Sequence, residues 1–67
     1  MKHLWFKDDD GDIWKVPKNY SYVIVYYKED NFIPTSRCSC TKDKFNNYKK
    51  AFNGKRISQE TVFLEML

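Results

Sequence analysis

Glycine and proline are scarce in this chain, two of each in 67 residues, and the glycines stand far apart as Gly11 and Gly54. A loop that cradles phosphate needs glycines close together, so no nucleotide-binding loop of that type is encoded. Histidine occurs once, as His3. That leaves no Cys/His or Ser/His/Asp set from which to assemble an activated nucleophile. Cysteine occurs twice, as Cys38 and Cys40. A disulfide across so short a loop is strained and constrains almost no unfolded-chain entropy. With His3 the pair supplies three zinc ligands where a structural site wants four. The plainer reading is a pair of reduced thiols entering one core from the same side of a strand, as in a cytosolic protein. Long hydrophobic runs are missing too. The longest, Tyr22 to Tyr27, is far short of the roughly 20 residues that a spanning helix requires. At the N-terminus the apolar run Leu4-Trp5-Phe6 is too short for a signal peptide. An enzyme is therefore not expected, no cofactor or metal is called for, and the expected setting is cytoplasmic, without a membrane partner.

What is present is aromatic and basic. Five Phe, five Tyr and two Trp make the chain rich in rings, and 42% hydrophobic against 31% charged residues is the balance of a folded domain. A domain this small buries only about 60% of the surface its unfolded chain exposes. One domain over residues 1–67 is all the length allows. The net charge of +3 is unevenly placed. Residues 1–35 carry five Lys against six acids, whereas residues 36–67 carry seven Lys or Arg against three. Such a basic half points to an anionic partner. Residues with AT-rich codons (Phe, Tyr, Met, Ile, Asn, Lys) number 31, and those with GC-rich codons (Gly, Ala, Arg, Pro) number 7. That bias suggests a low-GC bacterial host, and the size suggests a phage or mobile-element accessory protein.

The local patterns give the order of elements. Leu4–Lys7 and Ile13–Val16 flank Asp8-Asp9-Asp10-Gly11-Asp12, and Asp-Gly between two such runs is a strong hairpin signal. The acids of that turn do not make an EF-hand. Aligning on Gly11 puts Phe6 at the first ligand position and Pro17 at the last. Tyr20–Lys28, β-branched and aromatic almost throughout, predicts a central strand. Phe32–Cys40 predicts a fourth strand that either sits at an edge or begins after Pro34, which has no ladder donor. From Thr41, a suitable N-cap, Phe45, Tyr48 and Phe52 recur at helical spacing, with Asn53-Gly54 as a left-handed stop. Ser58 then caps a short helix, Gln59 to Leu67, with Val62, Phe63, Met66 and Leu67 as its apolar stripe. A terminal strand is the competing reading, because Val62, Leu64 and Met66 alternate. The expected class is α+β: an antiparallel sheet of three to four strands in two hairpins, then one or two C-terminal helices packed on one face.

Two surfaces are left for a partner. The helix after Thr41 gathers Lys42, Asn46, Lys49 and Lys50 on one side, and Lys55 and Arg56 follow. The sheet carries large rings on both faces, more than two short helices can cover, so Trp14, Tyr22 and Tyr26 are expected at a partner or dimer surface. The expected function is a non-enzymatic binding protein, acting stoichiometrically as inhibitor or modulator of a host macromolecule. Its partner would be a host protein or ribonucleoprotein with an acidic surface, and a homodimer would use the spare sheet face. The alternative is a direct DNA- or RNA-binding protein, its lysines on phosphates and its Tyr and Trp rings stacked on bases. The plainest alternative is a solvated lysine face over a sheet fully wrapped by its own C-terminal segment.

Overall fold

A computed structural model describes residues 3–37 and 41–67. The elements run β1 (His3–Lys7), β2 (Ile13–Pro17), β3 (Val23–Tyr27), β4 (Ile33–Arg37), α1 (Lys42–Ala51), β5 (Lys55–Ile57) and α2 (Gln59–Met66). The five strands form one antiparallel sheet in the order β4-β3-β2-β1-β5. The class is the α+β one the sequence implies, with one strand more than expected. Strand β5, only three residues long, lines up beside β1 with Trp5 opposite Ile57 and Phe6 opposite Arg56. Pro34 does lie on an edge strand, β4, which pairs on one side only and includes the proline instead of beginning after it. The C-terminal segment is helix, not strand, with Ser58 Oγ accepting from Thr61 N. The paired cysteines, Cys38 and Cys40, lie outside the described residues, as does the end of the expected fourth strand.

Pleating assigns the side chains to two faces. Phe6, Trp14 and Val25 stand in register across β1, β2 and β3. Helix α1 covers that face: Phe6, Trp14, Val16, Val23, Val25 and Phe45 form one buried cluster, with Leu4, Tyr20, Tyr27 and Tyr48 packed around it. Rings meet edge-on, Phe45 lying 5.2 Å from Phe6 and 6.1 Å from Trp14 between centroids. Lys7 and Ile13 face the other way, and Lys7 Nζ reaches Glu65 Oε1 of α2 at 3.1 Å. So α2 lies against the opposite face, where Ile13 and Val62 are buried outside the main cluster. The helices thus do not share a face. Of the stripe expected for α2, Val62 is buried and Met66 half-buried, while Phe63 and Leu67 are exposed.

Two local details hold α1 to the sheet. The acidic turn is organised around Asp8, whose Oδ1 accepts from Asp10 N (2.9 Å) and Asp12 N (3.0 Å). Its Oδ2 accepts from the buried indole Nε1 of Trp14 at 3.0 Å. Burial raises the Asp8 pKa above the ordinary 3.8, the hydrogen bonds from Asp12 and Trp14 pull it back, and the Asp12 carboxylate pushes it up again. At the far end of α1, Asn53 N bonds Lys50 O and Gly54 N bonds Lys49 O, a Schellman closure. The left-handed residue there is Asn53 (φ 55°), not Gly54. Glycine is needed at 54 for a different reason: a Cβ would stand 2.7 Å from Cη2 and Cζ3 of Trp14. The Asn53 amide also donates to both Asp9 carboxylate oxygens, tying the helix end to the β1–β2 turn.

Candidate functional site: a basic helix face and an aromatic sheet face

Helix α1 exists because Thr41 caps it, its Oγ1 accepting from Lys44 N, and because Phe45 and Tyr48 bury one side. The remaining positions are free to carry charge. Lys42, Asn46 and Lys50 are exposed along the helix, and Lys49 is half-buried at its margin. The Lys49 Nζ lies 5.5 Å from the Phe6 centroid, and the Arg56 Cζ lies 5.9 Å from the same centroid. Arg56 reaches that ring because it stands opposite Phe6 across the β1–β5 ladder. Lys55 pairs with Lys7 in the same ladder and so faces the other side of the sheet. The expected basic set therefore divides: Lys42, Asn46, Lys49, Lys50 and Arg56 come together, and Lys55 leaves them. Among the described residues the one ion pair is Lys7–Glu65, so no basic group of this face has an internal counter-charge there.

The aromatic set divides as well. Trp14 is fully buried under α1, with its ring 4.7 Å from Tyr48 and its indole N–H consumed by Asp8. It belongs to the core, a correction to its expected place at a surface. Alternation along β2 cannot say which face a helix will cover, and here α1 takes the Trp14 side. Tyr20 likewise leaves the strand pattern; its φ of 58° turns the ring inward to within 5.1 Å of Phe45. Tyr22 and Tyr26 do lie on the other face. Tyr22 is 36% exposed and its hydroxyl meets His3 Nε2 at 3.2 Å. Tyr26 is half-buried, 5.9 Å from Trp5, and burial followed by the neighbouring Tyr22 raises its pKa above 10.0.

Trp5, not singled out from sequence, is the centre of this second surface. Lys15, its cross-strand partner, places Nζ 5.7 Å from the Trp5 ring. Beside them opens a cleft of about 480 Å³ lined by His3, Trp5, Lys15, Ile57, Ser58 and Gln59 and also by Arg56, which on the edge strand β5 borders both faces. Its signal in the sequence was the i, i+2 alternation of β1, which sets Trp5 against Leu4 and Phe6. Helix α2 covers only part of this face. It also adds exposed apolar side chains of its own, Phe63 at 59% and Leu64 at 73%.

Asp8, Asp10 and Asp12 bring carboxylate oxygens within 4.8 Å of one another. Both Asp8 oxygens already accept N–H donors, and Asp12 Oδ1 accepts from Lys28 N at 2.9 Å. The cluster is thus a turn stapled by its own backbone. Among the described residues no helix is long and apolar enough to cross a membrane. Comparison with known proteins finds no family model, no curated protein and no solved structure that matches this chain.

Proposed function

We propose that this protein is a non-enzymatic binding module that acts stoichiometrically on an acidic protein surface through the α1 face. The observation that carries this reading is the opposition of the two surfaces. Lys42, Lys49, Lys50 and Arg56 lie on the side of the sheet that faces α1, and Trp5, Tyr22 and Tyr26 lie on the other. A single strand whose phosphates touch those lysines therefore meets none of those three rings and finds Phe52, 43% exposed at the end of α1, in place of the row of rings on which successive bases stack in a strand-binding protein. A basic face whose cations make no ion pair among the described residues instead suits a carboxylate-bearing protein, which it would steer electrostatically and hold by charge-assisted hydrogen bonds. The Trp5–Tyr22–Tyr26 face supplies a second contact, for the same partner or for another copy of this chain. A host enzyme or ribonucleoprotein remains the proposed class of target.

Fluorescence anisotropy with two labelled probes, hexaglutamate and a hexathymidylate, tests the reading. Hexaglutamate is expected to bind the more tightly at equal ionic strength. Replacing Lys42, Lys49 and Lys50 together by Ala is expected to weaken it at least about tenfold, or about 1.4 kcal/mol. Tighter binding of the oligonucleotide, with a log-log salt slope that falls by about one per lysine removed, would overturn the proposal in favour of nucleic acid.

A further inference from the structure

The cleft beside Trp5 brings together β1, β2, β5 and the start of α2. Three of its lining residues stand in one row across neighbouring strands. Lys15 of β2 is opposite Trp5 of β1, and Trp5 is opposite Ile57 of β5. With strands about 4.8 Å apart, the row runs about 10 Å from a cation, past an indole, to an aliphatic side chain. The volume, about 480 Å³, is that of a site for a small molecule.

The ionisable residues that line the cleft are His3, Lys15 and Arg56, all of them bases. Their situations differ. His3 meets the Tyr22 hydroxyl through Nε2, and Arg56 places its guanidinium carbon 5.9 Å from the Phe6 centroid, on the α1 side. Lys15 is half-buried, with Nζ 5.7 Å from the Trp5 centroid and no ion pair among the described residues. One permanent cation is thus left to the cleft itself. Its attraction to the indole holds it there before any ligand arrives, and Trp5 is braced in turn by Tyr26, 5.9 Å away. An ammonium beside apolar walls is less screened than one in open water, so an anion that reaches it is held more strongly. A bare anion would leave the Trp5 and Ile57 walls wet, whereas an anion with an apolar body covers them.

We propose that this cleft binds a small aromatic monocarboxylic acid, its carboxylate on Lys15 Nζ and its ring against Trp5 and Ile57. One permanent cation matches one negative charge, which favours a carboxylate over the dianion of a phosphate monoester. The indole wall favours a ring as the apolar body. This site is separate from the α1 face and goes beyond the protein-binding reading above.

The test is an NMR titration of the isotopically labelled full chain with phenylacetate, observing the Trp5 indole N–H, the Ile57 methyls and the Lys15 side chain. Those signals are expected to move most and to saturate, with the Trp14 indole N–H unmoved. Phenylacetamide keeps the ring without the charge, and acetate keeps the charge without the ring. Each is expected to bind at least about tenfold more weakly than phenylacetate. Lys15→Gln is expected to weaken phenylacetate about tenfold, and Lys50→Gln less than about twofold. Thermal unfolding of Lys15→Gln checks its fold; if that variant unfolds early, the comparison of acid with amide in the unaltered chain decides alone. Equal binding of phenylacetate and phenylacetamide would overturn the proposal, as would the absence of saturation at Trp5. Shifts centred on Phe52 and Lys50 would place the acid on the α1 face and overturn it as well. Tighter binding of phenyl phosphate than of phenylacetate would overturn the carboxylate assignment. Lys15→Gln is expected to leave hexaglutamate binding within about twofold of the unaltered chain, so this site and the α1 reading fail separately.

Discussion

Replacing Gly54 by Ala is the sharpest test of how the basic face is built. The added Cβ would stand 2.7 Å from two carbons of the Trp14 six-membered ring, closer than real Cβ contacts come. Gly54 has no positive φ, so the backbone accepts Ala and the whole cost is steric. Trp14 cannot swing aside: it is fully buried, its N–H is bonded to Asp8, and Phe6, Phe45 and Tyr48 pack around it. Overpacking of this kind costs about 1–3 kcal/mol, and the tethered ring argues for the upper end. The unfolded chain returns about 0.4–1 kcal/mol of that through lost backbone freedom. A net loss of about 2 kcal/mol remains, which for a domain of this length lowers Tm by roughly 8–16 °C. Circular dichroism and tryptophan fluorescence during thermal unfolding measure it. In a Trp14→Phe background the two clashing carbons are gone, so the same Gly54→Ala change should cost less than about 0.5 kcal/mol there. A loss below about 0.5 kcal/mol in the unaltered chain, or an undiminished loss in the Trp14→Phe background, would refute the claim that the Trp14–Gly54 contact sets the α1–β5 spacing.

Four further outcomes are expected. Asp8→Ala should cost about 2–4 kcal/mol in denaturant titrations, since it orphans the buried Trp14 N–H and removes two turn hydrogen bonds. Because the folded-state pKa of Asp8 is raised, the folded chain holds the proton more tightly than the unfolded one. Protonated Asp8 therefore favours folding below its ordinary pKa of 3.8, and that contribution is lost as pH rises through its folded pKa. Over that window the stability difference between the unaltered chain and Asp8→Asn should shift toward the Asn variant as pH rises, and the reverse slope would contradict it. Asn53→Ala should destabilise by about 1–2 kcal/mol, the left-handed penalty, whereas Asn53→Gly should cost less, on the same unfolding curves. In ultraviolet titration, Tyr26→Phe should remove a tyrosine ionisation that lies above pH 10.0 in the unaltered chain.

Much of the fold is legible in the residues themselves. Asp10-Gly11 marks the first hairpin, Pro34 marks an edge strand, and Thr41 and Ser58 cap two helices where caps were expected. These features are local, set by backbone chemistry within a few residues. What sequence could not reach is decided at a distance. Lys55-Arg56-Ile57 is too short to show a period, so its pairing with β1 had no signature. Trp14 and Trp5 carry the same alternation on neighbouring strands, and only the seating of α1 makes one core and the other surface. Within the site, Lys49 and Lys50 are adjacent and chemically identical in sequence. They differ because Gly54 lets the helix end approach the sheet closely enough for Lys49 to meet Phe6.

The side of the sheet that a ligand occupies is read most directly from backbone amide and indole shifts in one titration with hexaglutamate. Movement of the Lys42–Lys50 and Arg56 amides, with the Trp5 indole N–H unmoved, is the result the two-faced arrangement predicts. Shifts concentrated at Trp5, Tyr22 and Tyr26, with α1 silent, would contradict it.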